Sequence, residues 1–299
     1  MIDCLVIGGG PAGLTAAIYL ARYHISVLVA DDDTSRANLI PIARNLAGFT
    51  NGISGPDFLS QMRTQAACYP IEQLRERVIS LGKENNEFVA HTEHREIRAK
   101  TVLLATGVVN RRPEMSEAFH EVALLKGLLR YCPICDGFEI TDQAVAVIGS
   151  TQNAVNEVEF IRSYTSNVTL IADENVAIED NVGKRLATLG ANFLKGPARF
   201  EIEAPDMLVH VPSGTHKYRA IYPALGSDVR SQLGIQLGAA VSSEGCLTVD
   251  GHQATSIEGV YAAGDVIKGL DQIASALGHG SVAATAIRNY IATKRSILR

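Results

Sequence analysis

The feature that most constrains this chain is the run Gly8-Gly9-Gly10-Pro11-Ala12-Gly13. It lies between a short apolar stretch, Asp3 to Ile7, and an Ala/Leu-rich segment, Pro11 to Tyr23. Gly8, Gly10 and Gly13 make G-x-G-x-x-G, which in this setting reads as strand, tight turn and helix. The β-branched run Ile25 to Ala30 then closes a β-α-β unit. In such a unit the first glycine permits the turn and the second lets the backbone approach a pyrophosphate. The third lets helix and strand pack closely, while the helix N-terminus offers free N–H groups and the positive end of its dipole. Pro11 and Ala12, inside the motif, count with the glycines as cofactor-binding positions. Asp31, 18 residues after Gly13, stands where an acid would bond a ribose hydroxyl, with Asp32 and Asp33 as weaker substitutes. The motif implies a dinucleotide without choosing between NAD and FAD.

The pattern then starts over. Ala144 to Ile148 reads as a strand, Asn153 to Ser163 as a helix and Val168 to Ala172 as a strand. Between the two units come a Pro/Gly-punctuated loop (40–55) and a helix expected over Pro56 to Ala67. An alternating stretch, Gln73 to Thr92, reads as a β-meander, and Thr101 to Leu104 as a buried strand. Beyond the second unit, Ala198 to Tyr222 suggests an antiparallel excursion, Gly259 to Ala263 a strand, and Ile273 to Ala292 a final helix. A length of 299 residues suits two domains of roughly 100 to 200 each. The expected fold class is α/β, with two Rossmann-like, three-layer ββα nucleotide-binding domains, the second inserted into the first. Residues 1–113 and 239–299 would form the discontinuous first domain and 114–238 the central one. The crossings are placed near Arg112-Pro113 and near Gly238, ahead of the turn Ser242-Ser243-Glu244-Gly245.

Bulk properties remove several classes of function. A net charge of −5, with only isolated basic pairs such as Arg111-Arg112, argues against nucleic acid, which needs a basic stripe. No apolar run reaches the 18 or so residues of a membrane span. The first apolar stretch leads straight into the glycine motif, so it does not read as a signal peptide, and a cytoplasmic protein is expected. Of the five cysteines, Cys4, Cys68 and Cys246 are isolated. One local pair in a reducing compartment points to catalysis or metal rather than to a structural framework.

That pair is Cys132-Pro133-Ile134-Cys135, followed by Asp136-Gly137. C-x-x-C sets two sulfurs within disulfide reach across one turn and often lowers one thiol pKa. A zinc site would need two more ligands, yet there is no second C-x-x-C and the eight histidines lack finger spacing. No metal is expected, and redox chemistry is preferred over an inert pair. Asp136, directly after the second sulfur, can serve a leaving thiol as proton donor and acceptor. Its bland alternative is a helix or turn cap.

GGGPAGL at 8–14, LATG at 104–107, CPICDG at 132–137, AAGDV at 262–266 and DQIASALGHGSVAA at 271–284 together resemble the low-molecular-weight thioredoxin reductases, in order and almost end to end. The resemblance selects FAD for the first domain. It implies that Thr106 and Gly107 let a strand end pass close to the cofactor, and that Gly264 and Asp265 meet the ribityl chain. Asn45, in NLAGFTNGISGPDF at 45–58, is implied as a flavin contact, and Val78 as a further cofactor-binding position. Gln272 and Ile273 match the contacts to the isoalloxazine ring. Cys135 would lie nearest the flavin and Cys132 would attack the substrate disulfide. Such proteins are usually homodimers whose smaller domain rotates to expose the pair.

The chain departs from that family in its second glycine turn, Gly149-Ser150-Thr151-Gln152-Asn153-Ala154. Thr151 takes the middle glycine position, and the family's His-Arg-Arg phosphate grip is replaced by Ala172-Asp173-Glu174. Each lost charge-assisted bond is worth about 1.5 to 3 kcal/mol, so two losses weaken binding by roughly a hundredfold or more. NADPH is therefore not expected, and Thr151 also disfavours NADH, although Asp173 or Glu174 could bond its 2′-hydroxyl. Electrons would come from ferredoxin, from a second flavin (a second FAD) in the central domain, or from the substrate dithiol itself. Three functions remain open: a reductase acting on a thioredoxin-like protein, a dithiol oxidase using oxygen, and a redox sensor without turnover. His279, in Gly278-His279-Gly280, is either a base near the flavin or a packed helix residue.

Overall fold

A computed structural model describes residues 1–172 and 180–297. Contacts divide the chain into two compact units. The first begins with strand β1 (Ile2–Ile7), helix α1 (Pro11–Arg22) and strand β2 (Val27–Ala30), the expected β-α-β unit. Pro11 opens α1, where its missing N–H is harmless. Helix α2 (Gly55–Ala66) starts from Ser54, whose hydroxyl accepts the Asp57 N–H and bonds the Asp57 carboxylate in return. Strands β3 (Ile71–Leu74), β4 (Ser80–Glu84), β5 (Glu87–His91) and β6 (Glu96–Leu104) follow.

The meander starts later than its alternation suggested. Ile71–Leu74 runs parallel to β2 as the edge of the sheet, and only β4, β5 and β6 are antiparallel neighbours. Strand β7 (Val108–Asn110) leads into the second unit, which contains helices α3 (Glu117–Leu125) and α4 (Pro133–Asp136), β8 (Val145–Ile148), α5 (Gln152–Ile161) and β9 (Val168–Ala172). After it come α6 (Asp180–Leu189), β10 (Asn192–Lys195), the antiparallel strands β11 (Arg199–Glu203), β12 (Asp206–Val211) and β13 (Gly214–Tyr218), and then β14 (Ala220–Pro223). Strand β15 (Ser227–Val229) pairs with β7, so the two crossings of the chain run side by side. Helix α7 (Gln232–Gln236), β16 (Val260–Ala262) and the long helix α8 (Ile273–Lys294) complete the first unit.

In the first unit the parallel strands are ordered β3-β2-β1-β6, and β6 serves two partners along one edge. Its residues 96–99 pair with β5, and 102–104 pair with β16. Leu5, Ile7, Leu28, Phe88, Val102 and Leu104 fill one face, while Val6, Val29 and Leu103 meet the alanine faces of α1 and α8 on the other. Helix α8 approaches α1 so closely that a side chain at Gly280 would stand 2.3 Å from the Ala12 carbonyl oxygen. The second unit holds the parallel sheet β10-β9-β8-β14 with its own core of Val145, Val147, Val158, Ile161 and Tyr222.

The first unit comprises Met1–Ile40, Ile53–Val109 and Val229–Arg299, and the second Pro41–Gly52 and Asn110–Asp228. The division differs from residues 1–113, 114–238 and 239–299 for two physical reasons. Leu233 of α7 is buried in the core of the first unit, which draws 229–238 back to it. The loop Pro41–Gly52 bonds to the segment after the cysteine pair, through Arg44 to Glu139 at 3.4 Å. Asp173 and Glu174 lie outside the described residues.

Candidate active site

In the first unit the sequence motifs gather at the carboxyl ends of β1, β2, β6 and β16, where ligands bind in open α/β sheets. Gly13 has no room for a side chain, since a Cβ there would stand 1.9 Å from the Gly8 carbonyl oxygen and 3.2 Å from Val6 Cγ1. Gly10 differs, because a Cβ would meet only the Ser35 hydroxyl, at 3.1 Å. Gly8 and Gly13 are thus required by packing, whereas Gly10 borders open space. Helix α1 has no side-chain N-cap bond and no acid in its first turn, which leaves its first N–H groups for an anion. Asp31 follows β2, and its Oδ2 lies over the turn, 2.4 Å from where a Gly9 Cβ would be. Arg63 stands 3.7 Å from the same carboxylate.

Thr106 and Gly107 are fixed to the returning chain. The Thr106 hydroxyl donates to the Arg230 carbonyl at 2.6 Å, and the Arg230 N–H donates to the Gly107 carbonyl at 3.0 Å. Gly264 and Asp265 follow β16. Arg36 bridges Asp265 at 3.1 Å and Asp271 at 3.2 Å. Burial raises the Asp271 carboxyl, the Asp265 charge adds to that, and Arg36 opposes both. Gln272 precedes α8 and accepts the Ala276 N–H on its carbonyl at 2.9 Å, and half-buried Ile273 is the first helical residue. Helix α8 likewise lacks a side-chain N-cap bond. His279 is held below the usual imidazole range by burial, against the pull of Asp265, and its shielded Nδ1 has no partner among the described residues.

This donor set fits a dinucleotide. It offers two uncapped helix N-termini, a glycine turn with open space at Gly10, an acid after β2 and a partnerless imidazole nitrogen. Two expected contacts stand apart. The Val78 side chain is buried in the core with Leu5 and Leu28, so what it can offer a cofactor is its backbone. Asn45 lies on the Pro41–Gly52 loop of the second unit, where its Nδ2 donates to the Ile134 carbonyl at 3.4 Å.

The second unit carries the cysteine pair as a formed disulfide, with Cα atoms 5.3 Å apart. Cys132 caps the one-turn helix α4, and the Cys135 N–H donates to its carbonyl at 2.9 Å and lies 3.2 Å from its Sγ. Asp136 ends that turn. The Tyr222 hydroxyl donates to its Oδ1 at 2.8 Å, Arg130 Nη1 lies 3.5 Å from its Oδ2, and the same nitrogen donates to the Asp136 carbonyl at 3.0 Å. Burial raises the Asp136 carboxyl above the usual range, with Glu139 adding to the rise, while Arg130 and Tyr222 oppose it. Glu157 of α5, helix partner of α4, is pushed up to about 7 by burial and by the Asp136 charge. Among the described residues no group of three or more His, Cys, Asp or Glu could hold a metal ion.

The second glycine turn keeps its packing and changes its mouth. A side chain at Gly149 would meet the Ala154 Cβ at 2.9 Å and the Ala224 carbonyl oxygen at 3.0 Å, so the first and third motif positions pack as they do in the first unit. Between them Thr151 caps α5 without a side-chain bond, and its side chain is exposed at the helix N-terminus.

Sequence reasoning did not single out Arg36, Asp271, Tyr222 or Glu157. Arg36 and Tyr222 reach their partners over 229 and 86 residues of chain, a separation with no local signal. Glu157 gave no signal in the sequence beyond lying within the expected helix Asn153 to Ser163.

Residues 2–280 match the family model described as pyridine nucleotide-disulphide oxidoreductase. The thioredoxin reductase of Mycolicibacterium smegmatis is 30% identical, over 97% of this chain and 96% of its own. That of Aquifex aeolicus is 28% identical, over 99% and 95%. The crystal structure of thioredoxin reductase from Streptococcus pyogenes superposes with a TM-score of 0.87 at 28% identity, covering 98% of this chain and 99% of that one. With a glycine turn built for a dinucleotide in one unit and a C-x-x-C disulfide in the other, this chain belongs to the pyridine nucleotide-disulphide oxidoreductases, among the low-molecular-weight thioredoxin reductase-like enzymes, which are flavin-dependent disulfide oxidoreductases.

Proposed function

We propose that the chain moves electrons between FAD and the Cys132–Cys135 disulfide to reduce a protein disulfide of the thioredoxin type, without NADPH as donor. FAD, when bound, supplies the two-electron carrier, held by the α1 N-terminus, Asp31, Asp265 and the start of α8. Cys132, at the head of α4, is the sulfur that attacks a substrate disulfide. Cys135 receives electrons from the flavin side. Asp136 holds the proton that the leaving thiol needs, and its burial keeps that proton on the carboxyl at higher pH than an exposed acid would. A homodimer working in the cytoplasm belongs to the same proposal, on the strength of the family resemblance.

The observation that carries the donor reading is Thr151. Its side chain stands at the N-terminus of α5, the place where the middle glycine of a working turn would admit a pyrophosphate. Ferredoxin, or a second flavin in the second unit, is the donor that this arrangement favours. The test is an anaerobic titration of the yellow protein with NADPH and then NADH, following the visible flavin band. The proposal expects no bleaching by either, and ready bleaching by dithionite. Bleaching at micromolar NADPH would overturn it and make Thr151 compatible with a conventional pyridine-nucleotide site.

A further inference from the structure

A carboxyl outside the expected machinery interacts with Asp136, the residue after Cys135. Glu157 lies on α5, which packs against α4, the turn carrying Cys135 and Asp136, and its carboxyl feels the Asp136 charge. Its Oε1 is shielded from water and has no hydrogen-bond partner among the described residues. Arg130 bonds Asp136 through both the carboxylate and the carbonyl. Arg185 pairs with Glu159, two residues further along the helix. Among the described residues the charged and titratable groups of this cluster are Asp136, Arg130, Glu139, Tyr222 and Glu157 itself. An enclosed carboxylate with neither cation nor donor is unfavourable, and it relieves this by keeping a proton. A second carboxyl alongside makes two charges at once costlier still, so the pair loses its protons in two separated steps.

We propose that Glu157 shares a proton with Asp136 and refills it during thiol–disulfide exchange, so that the two carboxyls form a proton-holding pair beside the Cys132–Cys135 disulfide. This rests on the reading of that disulfide as the redox centre. Exchange starts with Cys132 as thiolate and Cys135 as thiol. The Cys132 thiolate attacks one sulfur of the substrate disulfide, the substrate S–S bond breaks, and a mixed disulfide forms. Glu157 passes the shared proton to Asp136, and the departing thiolate takes it from there. Cys135 then gives its proton up to the pair and attacks Cys132 Sγ. The mixed disulfide breaks, the second substrate thiolate leaves and is protonated, and the Cys132–Cys135 bond re-forms. The substrate gains two electrons and two protons. One proton comes from Cys135, and one from the pair, which solvent refills. In this scheme Asp136, next in sequence to Cys135, exchanges protons with the thiols, and Glu157 is a positioning residue that acts through Asp136.

The test uses the full chain with its disulfide oxidised and reads the protonated-carboxyl stretch by infrared difference spectroscopy across pH. The expected result is a buried carboxyl band that disappears with a midpoint near about 7 and is absent in Glu157→Gln. In Asp136→Asn the Glu157 band should persist and its midpoint should fall, because the charge that raises it is gone. That variant keeps the test intact if Glu157→Gln does not fold. In exchange between the dithiol-reduced chain and 2-hydroxyethyl disulfide, Glu157→Gln should move the alkaline limb of the rate to lower pH. A move of one pH unit lowers the rate above the limb about tenfold. No Glu157 band near neutral pH, or an unmoved limb with normal exchange, overturns the relay alone. A titrating pair in a chain that exchanges no disulfide overturns the functional reading, and the relay with it.

Discussion

Replacing Glu157 by Gln should make the second unit more stable in mild alkali and leave it unchanged in acid. In the folded chain burial and the Asp136 charge push the Glu157 carboxyl up from 4.5 to about 7. Between those values the folded chain keeps a proton that the unfolded chain has lost. Stability therefore falls as pH rises, beginning near 4.5 and ending just above about 7. Taken at face value the rise corresponds to about 3 kcal/mol, which is an upper bound because the Asp136 titration is coupled to it. Gln keeps the shape and stays neutral throughout. The variant should match the parent near pH 4 and exceed it by up to about 3 kcal/mol at pH 8. Urea-dependent hydrogen exchange of peptides covering α5 reads this unit by itself, without assuming that both units unfold together. A difference between the two proteins that stays constant from acid to alkali would mean that Glu157 does not carry the retained proton.

Gly13→Ala should abolish flavin retention, because its Cβ would stand 1.9 Å from the Gly8 carbonyl oxygen; the flavin-to-protein ratio after purification measures this. Tyr222→Phe removes the donor to the Asp136 carboxylate, a bond worth about 1.5 to 3 kcal/mol, and should raise the Asp136 midpoint by roughly one pH unit or more in an infrared titration. Arg36→Met leaves Asp265 and Asp271 without their shared cation, so the Asp271 carboxyl should rise further and flavin affinity should change with pH, as equilibrium dialysis would show. An Asp271 midpoint no higher than the parent's would contradict that assignment.

What the sequence revealed follows the range of the interactions involved. The two β-α-β units were legible because their signals are local: short continuous apolar runs, glycines at fixed offsets and Pro11 at a helix start. The Val168–Ala172 strand was placed to the residue, and helix α8 to within two residues at its end. The meander was expected from Gln73, inside the strand Ile71–Leu74, because alternation cannot tell a parallel edge strand from an antiparallel one. The strand's partner β2 lies some forty residues back. The loop carrying Asn45 was placed with the first domain by its position in the chain, yet its bonds run to Ile134 and Glu139. The glycine motifs and the cysteine pair announce themselves in short windows. The groups that tune them, Arg36 for Asp265 and Tyr222 and Glu157 for Asp136, come from distant segments and become visible only after the chain has folded.

If electrons pass between the flavin and the Cys132–Cys135 disulfide, an anaerobic dithionite titration will count both. The parent should take up about twice the reducing equivalents of the flavin alone, with new thiols appearing as the disulfide opens. Cys135→Ser should retain its flavin and take up only the flavin's share. Equal uptake by both proteins, or flavin reduction in the parent with the disulfide left intact, would contradict the account.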